Sequence, residues 1–382
     1  MRILVVNAGS SSLKLRVLDP DDRVVGAEDL PAPRGQADIV AVARAIEGFG
    51  AVDAVGHRIV HGGTLYARPV RIDREVVERL RTLTDLAPLH QPKSLAALEA
   101  VTATLPDVPA VACFDTAFHA GMPAAASTYA IPHEWRKRWD LRKYGFHGLS
   151  HAYASRRAAE LIGEPSAGVR MVTCHLGAGA SLAAVLDGRS LDTTMGFTPL
   201  DGLVMATRSG SIDPGLVLWL ADHVRMPPAE LAATLEHRSG LLGLAGTADM
   251  RAILVAAASG EPDAVLALDV YHHRLRGAVA SMAAALGGLD VLVFTGGVGE
   301  NAPEVRERAA RDLTFLGVGV DPVRNREGDP DREIGSASAA VRTFVIAARE
   351  DVQIAHEVRD VLDVSRADDL GTRSPRTPGA PR

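Results

Sequence analysis

The sequence runs to 382 residues, enough for two or three domains. With 47% apolar and 23% charged residues it has a globular composition, which excludes a largely disordered chain. Lys and Arg number 41 against 47 Asp and Glu, a net charge of −6 with no block of like charge, which argues against a nucleic-acid partner.

The first apolar runs, 2–6 and 13–18, read as strands joined by a Gly/Ser turn. No room is left ahead of them for a signal peptide, so a cytoplasmic location is expected. Strand 52–56, helices 74–83 and 93–104, and strand 109–114 follow. Next come helix 152–162 and strands 169–174 and 180–186. The two cysteines, Cys113 and Cys174, fall in apolar strands and are expected as buried free thiols, not a disulfide or metal pair. Helices 214–223 and 264–286, strands 291–294 and 341–346, and helix 351–362 complete the pattern. The longest apolar stretch, 277–294, is broken by Gly287-Gly288 and Asp290, so it predicts a buried helix and then a strand. Strands interleaved with helices of this length define an α/β protein.

An internal echo points to duplication. Val6-Asn7-Ala8-Gly9 leads to Val17-Leu18-Asp19, and Cys174-His175-Leu176-Gly177 leads at the same spacing to Val185-Leu186-Asp187. A first domain over 1–148, completed by the terminal helix 350–364, and a second, nucleotide-binding domain over 149–349 are expected. Residues 365–382, rich in Pro, Arg and small polar types, are expected as a disordered tail.

Three glycine turns could hold phosphates: Asn7–Ser12 with Lys14 beyond it, His175–Ser181, and Gly296–Asn301, the last opening a helix. None is a Walker A loop, and each alone is equally an ordinary turn. Together in a duplicated α/β chain they suggest a nucleotide held by two lobes. Arg58, in GHRIVHGG (56–63), and Arg208, in TRSGSIDPG (207–215), could neutralise a transferring phosphoryl group. His57/His61 and His147/His151 have i, i+4 spacing, but the first pair precedes Gly62-Gly63 and the second straddles Gly148. A hydrogen-bonding role for His147 therefore fits better than zinc. Asp115 ends an apolar strand in CFDTAFH (113–119), and Glu350 begins a helix; each could reach Mg²⁺ directly or through water, while Glu350 could equally be a helix N-terminal acid.

The segments Asn7–Lys14, GHRIVHGG, FDTAFH (114–119), YGFHGLSH (144–151), HLGAGAS (175–181), TRSGSIDPG and FTGGVGEN (294–301), in that order, closely resemble the acetate kinase family up to about Val364. The resemblance implies a duplicated actin-like ATPase (ribonuclease H-like) fold around a central nucleotide cleft, a homodimer, and ATP/ADP and acetate or acetyl phosphate as substrates. It implies Mg²⁺, replaceable by Mn²⁺, at Asn7 and Glu350. It implies catalytic roles for Asp115, His147, Arg208 and Arg58, with Arg58 also meeting the substrate carboxylate. Val60, Leu89, Phe146 and Pro199 match the family's methyl pocket. Lys14, His175, Leu176, Gly177, Ala178, Gly179, Asp249, Met250, Arg251, Gly297, Val298, Gly299, Glu300 and Asn301 match its nucleotide segments. The chain departs from the family at Ala178 (usually Asn), Ser211 (usually Asp) and Ala347-Ala348-Arg349 (usually Pro-Thr-Asn). A propionate or butyrate kinase, or a noncatalytic actin-like nucleotide-binding protein, is the alternative.

Overall fold

The computed structural model describes residues 1–9, 12–32, 38–88, 90–163 and 167–371. The chain divides into two compact units: residues 1–114 with 351–382, and residues 115–350. The division thus falls at Phe114/Asp115, upstream of the boundary expected near 148.

The first unit is built on β1 (Ile3–Ala8), β2 (Ser12–Leu18), β3 (Val24–Pro31), β4 (Ala54–Ile59), β5 (Val70–Arg71) and β6 (Ala110–Phe114), with sheet order β3-β2-β1-β4-β6-β5. β1–β3 form an antiparallel meander; β4 and β6 join parallel to β1, and β5 closes the edge antiparallel. Alternation in β2 sends Leu13, Leu15 and Val17 inward and exposes Lys14. Helices α1 (Ile39–Phe49), α2 (Arg74–Thr82) and α3 (Gln91–Thr104) belong to this unit. Leu4, Val6, Leu15 and Val55 of the sheet meet Val42 and Ile46 of α1 and Ala97 and Val101 of α3 in its core.

The second unit repeats the plan. β7 (Arg170–Leu176), β8 (Ala180–Leu186), β9 (Arg189–Thr193), β10 (Val291–Thr295), β11 (Arg332–Glu333) and β12 (Arg342–Val345) stand in the order β11-β12-β10-β7-β8-β9. Again a three-strand antiparallel meander adjoins two parallel strands and an antiparallel edge. The echo of Gly9 with Val17-Leu18-Asp19 in Gly177 with Val185-Leu186-Asp187 accompanies a repeated sheet topology.

The helices here are α4 (Ala124–Ser127), α5 (His133–Trp139), α6 (Gly148–Ile162), α7 (Pro214–Asp222), α8 (Pro228–His237), α9 (Gly240–Ala245), α10 (Met250–Ala258), α11 (Pro262–Leu286), α12 (Gly296–Asn301), α13 (Pro303–Asp312) and α14 (Pro322–Arg326). The 277–294 stretch is the end of α11 followed by β10, as expected. Gly240–Ala258 has the length and hydropathy of a membrane span, but Gly246, left-handed at φ 70°, splits it into α9 and α10.

The last helix, α15 (Glu350–Gly371), belongs with the first unit from Asp351 onward. Val352, Ile354, Ala355 and Val358 are buried. A β-carbon at Gly56 would overlap Ile354 and Val358, so the glycine lets the helix lie close on β4. Of the tail expected over 365–382, the backbone is helical to Gly371, and residues 372–382 lie outside those described.

Candidate active site

In the first unit, the parallel register of β1 and β4 pairs Val6 with His57. That brings Arg58 beside Asn7, and the Arg58 guanidinium donates to Asn7 Oδ1 at 3.0 Å. Asn7 in turn pairs with Lys14 across the hairpin. Gly9 N donates to Ser12 O at 2.8 Å, closing the turn. Ser10, Ser11 and Leu89, the last expected in the methyl pocket, lie outside the described residues. Val60 is buried just beyond β4. His57 is buried on β4, and burial pulls its imidazole down to about 3, so it is neutral and no cation in the native protein.

The second unit holds the rest. Asp115 follows β6 directly and is buried. Its carbonyl accepts from Gly148 N at 2.9 Å, and a β-carbon at Gly148 would overlap that oxygen, so only glycine fits the start of α6. His147 caps α6 with a left-handed backbone (φ 56°, ψ 23°), a conformation few non-glycine residues adopt. The preceding Phe146 carbonyl accepts from buried His119 Nε2 at 3.1 Å, which helps hold that conformation. Burial lowers His119 to about 4. The His147 ring lies 4.4 Å, centroid to centroid, from that of His175, whose Nδ1 pairs with Ser150 Oγ at 2.8 Å.

Arg208 is placed by a partner the sequence did not flag. Its Nε donates to Glu236 Oε1 at 2.7 Å, and its Nη1 donates to the Pro199 carbonyl at 3.3 Å. A β-carbon at Gly179 would lie 3.1 Å from His147 Nε2 and 3.6 Å from Arg208 Nη1. The glycine thus opens a space that an imidazole edge and a guanidinium both border.

A cavity of about 330 Å³ lies in the same unit, lined by Gly177, Ala178, Asp249–Arg251, Gly297, Val298 and Asn301 among polar and backbone groups, and by Met205, Leu241 and Tyr271. Of the predicted nucleotide residues, Gly177, Ala178, Asp249, Met250, Arg251, Gly297, Val298 and Asn301 come together on this cavity, His175, Leu176, Gly179, Gly299 and Glu300 are not among its lining, and Lys14 belongs to the first unit. Asp249 caps α10 and forms a two-pronged pair with Arg251, which holds its carboxyl below the usual range. Ala178 lines this cavity with a methyl group.

Three side chains hold the neighbouring loops: Arg306, Glu300 and Asp331. Arg306 is completely buried and donates to the Gly299 and Glu300 carbonyls at 2.8 Å, and to Asn325 through Nε and Nη2. Burial first, and then the neighbouring Arg332 charge, lower its guanidinium to about 10 against the opposing pull of Glu304. Glu300, raised by burial, accepts from Ala348 N at 3.0 Å, and Asp331 accepts from Ala347 N at 3.0 Å. These two carboxylates fix the approach to Glu350, the first residue of α15. Sequence reading found neither Arg306, Asp331 nor Glu236, because each acts on backbone or side chains remote in sequence.

Twin sheets of one topology define the class: a duplicated actin-like ATPase fold. The acetokinase family model matches residues 36–356. The acetate kinase of Microcystis aeruginosa is 43% identical over 396 residues, covering 94% of this chain and 98% of its own length. The crystal structure of Porphyromonas gingivalis acetate kinase superposes with a TM-score of 0.86 at 35% identity, covering 94% of this chain and 99% of that one. A propionate kinase from Francisella tularensis superposes at 0.87 with 35% identity, covering 94% and 99%. The chain belongs to the acetokinase family.

Proposed function

We propose that this chain is an acetate kinase, transferring the γ-phosphoryl group of ATP reversibly to acetate to give acetyl phosphate and ADP. The observation that carries the reading is the meeting of His147 Nε2 and Arg208 Nη1 beside Gly179, in the unit that also holds the nucleotide-sized cavity. Full-length identity to proteins described as acetate kinases supports acetate over propionate as the acceptor.

The acceptor decides the chemistry. A small carboxylic acid titrates near the side-chain value of about 4.3, so acetate is already a nucleophile at pH 7 and no general base is needed. Asp115 therefore serves to position rather than to remove a proton. The barrier comes from bringing two anions together. Arg208, held by Glu236, and Arg58, held at Asn7, supply fixed positive charge for the phosphoryl oxygens and the acetate carboxylate. His147 adds a hydrogen bond, and Val60, Leu89, Phe146 and Pro199 supply the apolar surface for the methyl group. The cavity residues Gly177, Ala178, Asp249 to Arg251, Gly297, Val298 and Asn301 hold the nucleotide, with Lys14, His175, Leu176, Gly179, Gly299 and Glu300 completing the proposed set. Transfer is direct, without a phosphoenzyme, and inversion at phosphorus in a single turnover is expected.

The proposed metal donors are hard oxygens, the Asn7 amide and the Glu350 carboxylate, with no sulfur or imidazole. Among the described residues no cluster of three or more His, Cys, Asp or Glu could hold an ion. Such a set suits Mg²⁺, or Mn²⁺ in its place, which keeps several waters and binds through substrate phosphates. When bound, the ion would neutralise phosphate charge.

A homodimer is part of this reading. Helix α7 buries none of its residues, and Leu216, Leu218 and Trp219 stand about half exposed or more, an apolar face suited to a second copy.

The test is a kcat/KM series over formate, acetate, propionate and butyrate with ATP, with acyl phosphate trapped by hydroxylamine. Acetate should lead; one methylene is worth only about 1–3 kcal/mol, so propionate should follow rather than fail. No acyl phosphate from any acid would overturn the reading.

A further inference from the structure

Behind His147 three side chains form one run of hydrogen bonds. Ser181 Oγ, on β8, lies 3.0 Å from His147 Nδ1 and 2.8 Å from His151 Nε2. His151 Nδ1 lies 2.7 Å from Thr173 Oγ1, on β7. Ser181, His151 and Thr173 are all completely buried. Burial first, then the neighbouring His119 and His175, hold His151 well below the ordinary 6.5. Its ring is therefore neutral and carries one proton.

The hydrogens follow by elimination. Among the described residues the Thr173 hydroxyl has one partner, His151 Nδ1, so it donates there. His151 must then carry its proton on Nε2 and donate it to Ser181 Oγ. The Ser181 hydrogen has one acceptor left, His147 Nδ1. In the reverse order the Thr173 hydrogen would be buried without an acceptor. An orphaned buried donor disfavours that order by roughly 5- to 100-fold.

We propose that Thr173, His151 and Ser181 are a proton-ordering relay that fixes neutral His147 as its Nε2–H tautomer. They are positioning residues, acting through His147. What the relay achieves rests on the proposed role of His147 in phosphoryl transfer. The Nε2 edge beside Gly179 and Arg208 becomes a hydrogen-bond donor toward an anion. The opposite tautomer would turn a lone pair toward that anion and repel it.

The tautomer can be read directly in the wild-type full-length chain by ¹⁵N NMR with imidazole-labelled histidine. The signals are assigned by their loss in His147→Gln and His151→Gln. Both rings should show a protonated Nε2 and a bare Nδ1. A bare Nε2 on His147, or an Nδ1–H on His151, would overturn the relay. In Ser181→Ala the His147 signals should move toward a mixture of tautomers, and kcat should fall about 10-fold with little change in KM. A His147 ring that keeps its wild-type signals in that variant sinks the relay. If instead the tautomer shifts while kcat holds, the relay stands and the catalytic role of His147 fails.

Discussion

Arg208 shows how much a proposed catalytic side chain owes to a neighbour outside the proposed chemistry. Its Nε is tied at 2.7 Å to Glu236, itself only 9% exposed, so the guanidinium presents its remaining edge in a fixed direction. Arg208→Ala should lower kcat by roughly 10²- to 10³-fold, the loss typical of a transition-state donor. Glu236→Gln should lower kcat by about 10- to 100-fold through misplacement alone, with a smaller change in KM. Steady-state kinetics on both variants checks the pair, and an unchanged Glu236→Gln enzyme would separate the two residues. Arg208 could be picked out in the sequence because glycines and a turn surround it. Glu236 could not, since it stands 28 residues away on α8, a helix absent from the sequence-based expectations. The hydroxyl of Ser181 was visible only as part of a loop, because a tautomer depends on which atoms face each other in three dimensions.

At the scale of elements, the decisive joints are short. The start of α6 depends on Gly148, where a side chain would strike the Asp115 carbonyl. Gly148→Ala should cost at least the ~1–3 kcal/mol typical of overpacking and remove activity as well, read by thermal unfolding and turnover together. Arg306 joins α13 to the end of α12 and to α14 through buried carbonyls. Arg306→Met would strip those carbonyls of their donors and should destabilise the fold by about 3 kcal/mol, measured by urea denaturation. Apolar strands such as β7, β8 and β10 were legible because both their faces are buried. β3 was not: it is an edge strand whose sequence, VVGAEDLP, is largely exposed and lacks an alternation of apolar and polar residues. β5 and β11, at two residues each, carry too little pattern to be seen. α12 was anticipated as a helix after the glycine turn, although the helix begins at Gly296 within the turn itself.

For the molecule as a whole, buried neutral histidines set the acid limit. Burial lowers His57 to about 3, His119 to about 4 and His151 well below 6.5. Above pH 6.5 native and unfolded chains both hold these rings neutral, so their contribution is fully present. As pH falls through 6.5 the unfolded chain takes up protons that the native chain refuses until about pH 4 or lower. Stability should therefore drop by up to about 1.4 kcal/mol per pH unit for each ring. Unfolding midpoints at pH 7 and pH 5 should differ by many degrees; equal midpoints would mean these rings are not buried as described. The apolar face of α7 predicts a second whole-molecule effect. Leu218→Glu should convert a dimer to monomers in sedimentation while each copy retains its fold, because Leu218 is 70% exposed within the chain.

The placement of α15 also governs the order in which the protein can be made. Its residues from Asp351 onward complete a unit whose sheet was finished at Phe114. Gly56 was shaped for Ile354, and the Cys113 thiol reaches the Ile354 carbonyl. On the ribosome, at about 5–20 residues per second, the first sheet must wait on the order of tens of seconds for its covering helix. The uninterrupted second unit can settle first, although it is synthesised later. Nascent chains stopped at residue 350 should accordingly protect residues 115–350 from protease and leave 1–114 open to it.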